Sequence, residues 1–147
     1  MMDSSEFKNN SSENNLEGKR PSELKQWPIQ LHLISPYAPY YKNKDVVLAA
    51  DCTAYALGDF HKDYLRGRSL AIACPKLDSE QEVYEEKITE LIDNAEIKSL
   101  TVLIMQVPCC SGLLRLAEGA REKAKRKIPI SYEVVGINGE ILQRSEI

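Results

Sequence analysis

The sequence predicts an α/β protein: a three-layer, doubly wound, mainly parallel sheet with helices on both faces and a short C-terminal edge hairpin. Three observations predict it. First, DVVLAAD (45–51), SLAIAC (69–74) and SLTVLIM (99–105) are short apolar runs without polar alternation. Parallel strands read this way when helices cover both faces. Second, helical segments separate these runs, which is the strand–helix rhythm of α/β domains. Third, ISYEVVGI (130–137) is followed by NG at 138–139, a two-residue turn signal, with EILQ returning as a short edge strand. The parallel crossovers are expected to be right-handed.

The elements follow in order. Residues 1–21 are rich in Ser, Asn, Glu and Lys with almost no large apolar side chain, and read as a disordered tail. A single domain is expected over 22–147. SELKQ predicts a short helical turn with Ser22 as cap. WPIQLHLI (27–34) sets Ile29, Leu31 and Leu33 against Gln30, His32 and Ile34, a mostly period-2 pattern that predicts a strand added to the sheet. SPYAPYYKNK (35–44) reads as an extended connection. TAYALGDFHKDYL (53–65) reads as a helix. SEQEVYEEKITELIDNA (79–95) is a stronger one: Tyr84, Ile88, Leu91, Ile92 and Ala95 form one stripe, and Ser79 with Glu82 suggests a capping box. SGLLRLAEGAREKAKRK (111–127) predicts a third helix, basic in its last turns where the helix dipole is negative.

Composition narrows the function classes. The chain has 147 residues, 43% hydrophobic and 28% charged, with a formal net charge of −3, which suits one ordinary globular domain. Nothing in this balance calls for nucleic acid or an anionic membrane. No apolar run approaches the roughly 20 residues a spanning helix needs. MMDSSEFKNN has neither the basic nor the apolar region of a signal peptide, so a cytoplasmic location is expected. In that compartment thiols stay reduced, and grouped cysteines more often bind metal or do redox chemistry than form disulfides.

The four cysteines are grouped by the predicted topology. Cys52 follows DVVLAAD, Cys74 closes SLAIAC, and Cys109 and Cys110 follow SLTVLIMQVP. All four therefore stand at or just past the carboxyl ends of three parallel strands, the edge where ligands bind in open α/β sheets. Each also lies shortly before a helix, where backbone N–H groups favour a thiolate. A lone cysteine at a strand end is more often a small core residue, and the spacing has no C-x-x-C. It is the convergence of all four on one edge that suggests a shared ligand.

Other chemistry is weaker. His61 lies roughly 12 Å along the helix after Cys52 at 1.5 Å per residue, away from the thiol edge, and reads as a partly buried helix-face residue. His32 reads the same way on its strand. Cys109 to Arg115 fits the C-x-x-G-x-x-R outline of a phosphate-binding loop, with Cys109 as nucleophile and Arg115 as clamp. Pro108 and Leu116, however, stand where that loop usually has a histidine and a hydroxyl residue. No glycine-rich nucleotide loop is present. Asp59, Asp63 and Asp78 read as caps or solvated charges, and Asp51 is the one acid expected at the thiol edge.

Taken together, SELKQWPIQLHLISPYAPYY, AADC, DFHKDYLRGRSLAIACPKLD and IKSLTVLIMQVPCCSGL resemble the C-terminal part of the ferredoxin-type iron–sulfur binding proteins of anaerobic bacteria and archaea. The resemblance covers about residues 22–142. In that family an N-terminal region carries ferredoxin cysteine motifs for [4Fe–4S] clusters, and this chain has none of them. The family's cysteines correspond to Cys52, Cys74, Cys109 and Cys110. The resemblance thus falls on the same four thiols as the strand-end placement and does not name what they bind. Together the two lead to the expectation of a redox-associated domain with these four cysteines as cofactor and metal ligands, holding an iron–sulfur cluster (4Fe-4S) or zinc and exchanging electrons with a ferredoxin-like partner. Two alternatives stand beside it: a cofactor-free module that docks a ferredoxin protein, and a cysteine-phosphatase-like site at Cys109–Arg115.

Overall fold

The computed structural model describes residues 19–74, 76–107 and 111–147. Five strands form one sheet: β1 (Asp45–Ala50), β2 (Ser69–Ala73), β3 (Ser99–Met105), β4 (Ile130–Val135) and β5 (Ile141–Glu146). Their spatial order is β2-β1-β3-β4-β5. The first four run parallel and β5 returns antiparallel to β4. The doubly wound parallel sheet with an edge hairpin is therefore as expected, although β5 is a six-residue strand rather than the short EILQ. The chain between them closes as a longer loop than the NG turn predicted: Gly136 N–H donates to the Glu140 carbonyl at 2.8 Å.

Side chains of a strand alternate between faces, and β1 shows the consequence. Val46, Leu48 and Ala50 join one core with Tyr84, Ile88, Leu113 and Ala117. Val47 and Ala49 join a second with Leu57, Phe60, Tyr64 and Leu65. The first core lies under α2 (Gln81–Asp93) and α3 (Ser111–Lys123), the second under α1 (Thr53–Ala56) and a π-helical turn at His61–Leu65. This distribution follows from one hand of crossover. The step from β1 to β2 runs one way across the sheet and its connection covers one face. The steps from β2 to β3 and from β3 to β4 run the other way and cover the opposite face. Tyr84, Ile88, Leu91 and Ile92 of α2 are all essentially inaccessible, and each contributes about 1.5–3 kcal/mol by burial.

Several expectations need correction. WPIQLHLI is not a strand. It makes one bridge, Gln30 to Ile72, and then turns, with Leu33 N–H and Ile34 N–H both donating to the Gln30 carbonyl. The turn buries Leu31 and Ile34 and exposes Leu33, breaking the alternation. Lys87 Nζ fixes the turn by donating to the carbonyls of Leu31, His32 and Ile34 at 2.9, 2.6 and 2.9 Å. SELKQ forms no helix; Ser22 Oγ instead accepts from Leu24 N–H at 3.0 Å.

The predicted helix over 53–65 is broken after one turn. Leu57 is extended, helical bonding resumes with Asp63 N–H donating to the Asp59 carbonyl at 2.8 Å, and a π turn follows, where Arg66 N–H reaches the His61 carbonyl at 2.9 Å. The Ser79–Glu82 capping box does not form. Glu80 precedes α2 with φ 56° and no side chain caps the helix. The third helix ends at Lys123 instead of continuing to 127.

Candidate functional site

The parallel register carries β1 and β2 to the same level: Ala50 pairs with Ala73, and Asp51 N–H donates to the Ala73 carbonyl at 3.2 Å. Cys74 therefore comes level with Asp51, and Cys52 stands one residue farther out. Cys52 is exposed and Cys74 half-buried, and both are free thiols. Neither is a core residue, in contrast to the commoner fate of a cysteine at a strand end. The chain leaves β1 toward β2 on one side while β3 lies on the other, so these thiols stand beside the switch point of the sheet, where α/β crevices open. Cys109 and Cys110, and with them the proposed phosphate loop, lie outside the described residues. Arg115 is exposed on α3. The helix following Cys52 is a single turn, so it supplies little of the dipole expected at that position.

Asp78 joins this edge, although in the sequence it reads as a cap or solvated charge. Its Oδ2 accepts from Cys74 N–H at 3.0 Å and also from the Tyr84 hydroxyl. One carboxylate oxygen thus ties the turn after β2 to the first turns of α2. The usable signal is the spacing in CPKLD: an aspartate four residues after a strand end can fold back on the backbone it has just left. Tyr84, identified in the sequence only as part of an apolar stripe, is buried and brings its polar end to the same place. Its phenol is pushed well above the ordinary range by burial, and then by its hydrogen bond to Asp78.

Asp51 is the acid expected here, and it is half-buried. Its Oδ1 is sealed from solvent and has no hydrogen-bond partner among the described residues. Burial raises its carboxyl above the usual range, and the nearby Asp78 charge adds to that. Beneath the same edge lies a cavity of about 210 Å³, walled by Ala49, Phe60, Leu65 and Ile72 and bordered by Asp51 and Tyr55. Its small volume sits below the range typical of metabolite sites, about 300–1,000 Å³.

The histidines do not occupy the settings predicted for them. His61 is exposed on the π turn, where its Nδ1 accepts from Glu23 N–H at 3.0 Å. His32 lies in a turn rather than a strand. It stacks on Tyr84 at 4.2 Å and its Nε2 is 2.7 Å from the Ser79 carbonyl. Among the described residues, no three of His, Cys, Asp and Glu lie close enough together to hold a metal ion. No helix among them is long and apolar enough to cross a membrane.

The loops around this edge are apolar at their tips. Tyr55 follows β1, Leu77 follows β2 and Ile137 follows β4, with 93%, 83% and 76% of their surfaces exposed, and Val107 after β3 is also exposed. Exposed apolar side chains therefore stand along the same carboxyl edge as the thiols and the carboxylates of Asp51 and Asp78.

Comparison with known proteins agrees with this architecture. A protein of Archaeoglobus fulgidus, described as "Uncharacterized protein", is 31% identical over 119 residues, covering 81% of this chain and 83% of its own length. No solved structure matches the chain significantly. The Rossmann-like domain family matches residues 38–147, which span all five strands. With a parallel sheet wound in both directions and its polar and thiol groups at the carboxyl edge, the chain belongs to the Rossmann-like domain family.

Proposed function

We propose that this domain binds an iron–sulfur cluster or a metal ion at the carboxyl edge of its sheet, with Cys52 and Cys74 as ligands. Cys109 and Cys110 complete the donor set in this reading. The observation that carries it is the placement of Cys52 and Cys74 on neighbouring strand ends, free and accessible instead of packed in the core. Thiolates suit iron–sulfur clusters and zinc. Two thiols alone do not close a tetrahedral site, so the reading requires further ligands from the 109–110 pair. With a cluster bound, the function is one-electron transfer to and from a ferredoxin-like partner, with no bond made or broken in this chain. The exposed side chains of Tyr55, Leu77, Val107 and Ile137 along that edge supply apolar surface for such a contact.

The test is metal stoichiometry in single variants. Cys74→Ser and Cys52→Ser are each expected to lower bound iron or zinc by at least about tenfold, since a hydroxyl is a poor ligand for these soft sites. Unchanged stoichiometry in both variants would remove the proposal. The same apolar tips favour a second reading, a cofactor-free docking module. In that case the purified protein carries no metal, and both thiols react freely with a thiol reagent with no protection by added zinc or iron.

A further inference from the structure

The second face of the sheet is covered only as far as the 53–65 segment reaches. Beyond it, Thr101, Ser131 and Glu133 floor a cleft of about 550 Å³, with Asp63, Arg68 and Arg144 on its walls. This volume falls within the range of small-molecule sites, about 300–1,000 Å³, and far exceeds the need of a bare oxyanion.

Part of the cleft's charge is already matched. The Tyr64 hydroxyl donates to Glu133 Oε1 at 2.5 Å, and Arg144 Nε lies 3.3 Å from the same oxygen. Arg68 is different. It is half-buried, and among the described residues its guanidinium has neither an ion-pair nor a hydrogen-bond partner. A guanidinium offers five donors in a planar fork that matches a phosphate or carboxylate, and here they are unused. The hydroxyls of Thr101 and Ser131 likewise have no partner among the described residues. Tyr64 is the one aromatic residue lining the cleft, and its hydroxyl is engaged with Glu133. A nucleobase would therefore find little to stack on.

We propose that this cleft binds a small hydroxyl-rich metabolite bearing one phosphate, such as a phosphorylated sugar or polyol. Arg68 clamps the phosphate. Thr101, Ser131 and the acceptor oxygens of Glu133 and Asp63 take the hydroxyl groups. The site is separate from the cysteines and does not depend on what they bind.

The test is thermal shift and calorimetry on the full chain with glucose 6-phosphate, ribose 5-phosphate and glycerol 3-phosphate, beside inorganic phosphate and glucose. At least one phosphorylated polyol is expected to bind saturably, and more tightly than inorganic phosphate or glucose. Arg68→Gln should weaken that binding by about tenfold or more, the loss of a charge-assisted hydrogen bond. Ser131→Ala should weaken it less. Arg121→Gln, on α3 at the opposite face, should leave it unchanged. Saturable binding by none of the three, binding retained in Arg68→Gln, or inorganic phosphate binding as tightly as the esters would each overturn the proposal.

Discussion

Asp78 shows how much one oxygen can organise. Cys74 N–H and the Tyr84 hydroxyl both donate to its Oδ2, so the turn that presents a thiol is fastened to a buried phenol. Asp78→Ala leaves the Tyr84 hydroxyl buried without an acceptor, at a cost of about 1–3 kcal/mol. Tyr84→Phe removes donor and demand together and should cost about 1 kcal/mol. Urea unfolding is expected to rank the two in that order, and a larger loss in Tyr84→Phe would contradict the assignment.

Tyr64 offers a pH signature at the same scale. Burial, followed by its hydrogen bond to Glu133, pushes its phenol up from 10.0 to about 12. Between these values the folded protein keeps a proton that an unfolded tyrosine releases. Stability is therefore full below pH 10 and falls as pH rises toward about 12. Tyr64→Phe should make that alkaline fall shallower, measured as unfolding midpoints across the window. An unchanged slope would count against the buried, hydrogen-bonded phenol. Neither residue's polar role is visible in the sequence, because the apolar stripe that locates Tyr84 says nothing of where its hydroxyl ends.

At the scale of elements, the 53–65 segment shows what periodicity can and cannot resolve. Thr53, Leu57, Phe60, Tyr64 and Leu65 are all buried, at spacings that fit one continuous helical stripe. The chain meets those spacings with a one-turn helix, a break at Leu57–Asp59 and a π turn. Gly58 and Asp59 were the local sign of the break, outweighed by the stripe. WPIQLHLI failed for a related reason. A half-buried lysine, Lys87, comes from a helix some 55 residues away in sequence (its bond to His32 spans 55) and rewards a turn over a strand. Burial lowers the Lys87 ammonium, and no local pattern encodes that long-range contact.

The β4–β5 loop yields a firmer element-level prediction. Gly139 has φ +88°, and a Cβ there would lie 2.7 Å from the Ala56 carbonyl oxygen. Gly139→Ala should therefore cost about 1–3 kcal/mol from backbone strain, and more as the loop is pushed off α1. Urea unfolding checks this, and a cost below about 0.5 kcal/mol would show that the loop is free to move away.

At the scale of the whole molecule, the parallel sheet and its winding were legible because both rest on short-range signals: apolar runs of strand length separated by helical stripes. The gathering of cysteines at one edge followed from that topology alone, and Cys52 and Cys74 stand where it places them. What was not read was the short fold-back of Asp78 onto the Cys74 turn, and what stayed hidden was Arg68, unmatched among the described residues, in a cleft left open where the second helical layer stops short. The apolar loop tips along the thiol edge were likewise scattered residues in sequence, joined only by the common direction of β1 to β4. The decisive measurement for a metal centre at this edge is iron, zinc and acid-labile sulfide analysis, with a visible spectrum, on protein purified without oxygen. Iron with sulfide and a broad absorbance at about 400 nm, or stoichiometric zinc, is expected, bound through thiolates. A folded, colourless protein with neither metal, and unable to take them up on reconstitution, would contradict this expectation.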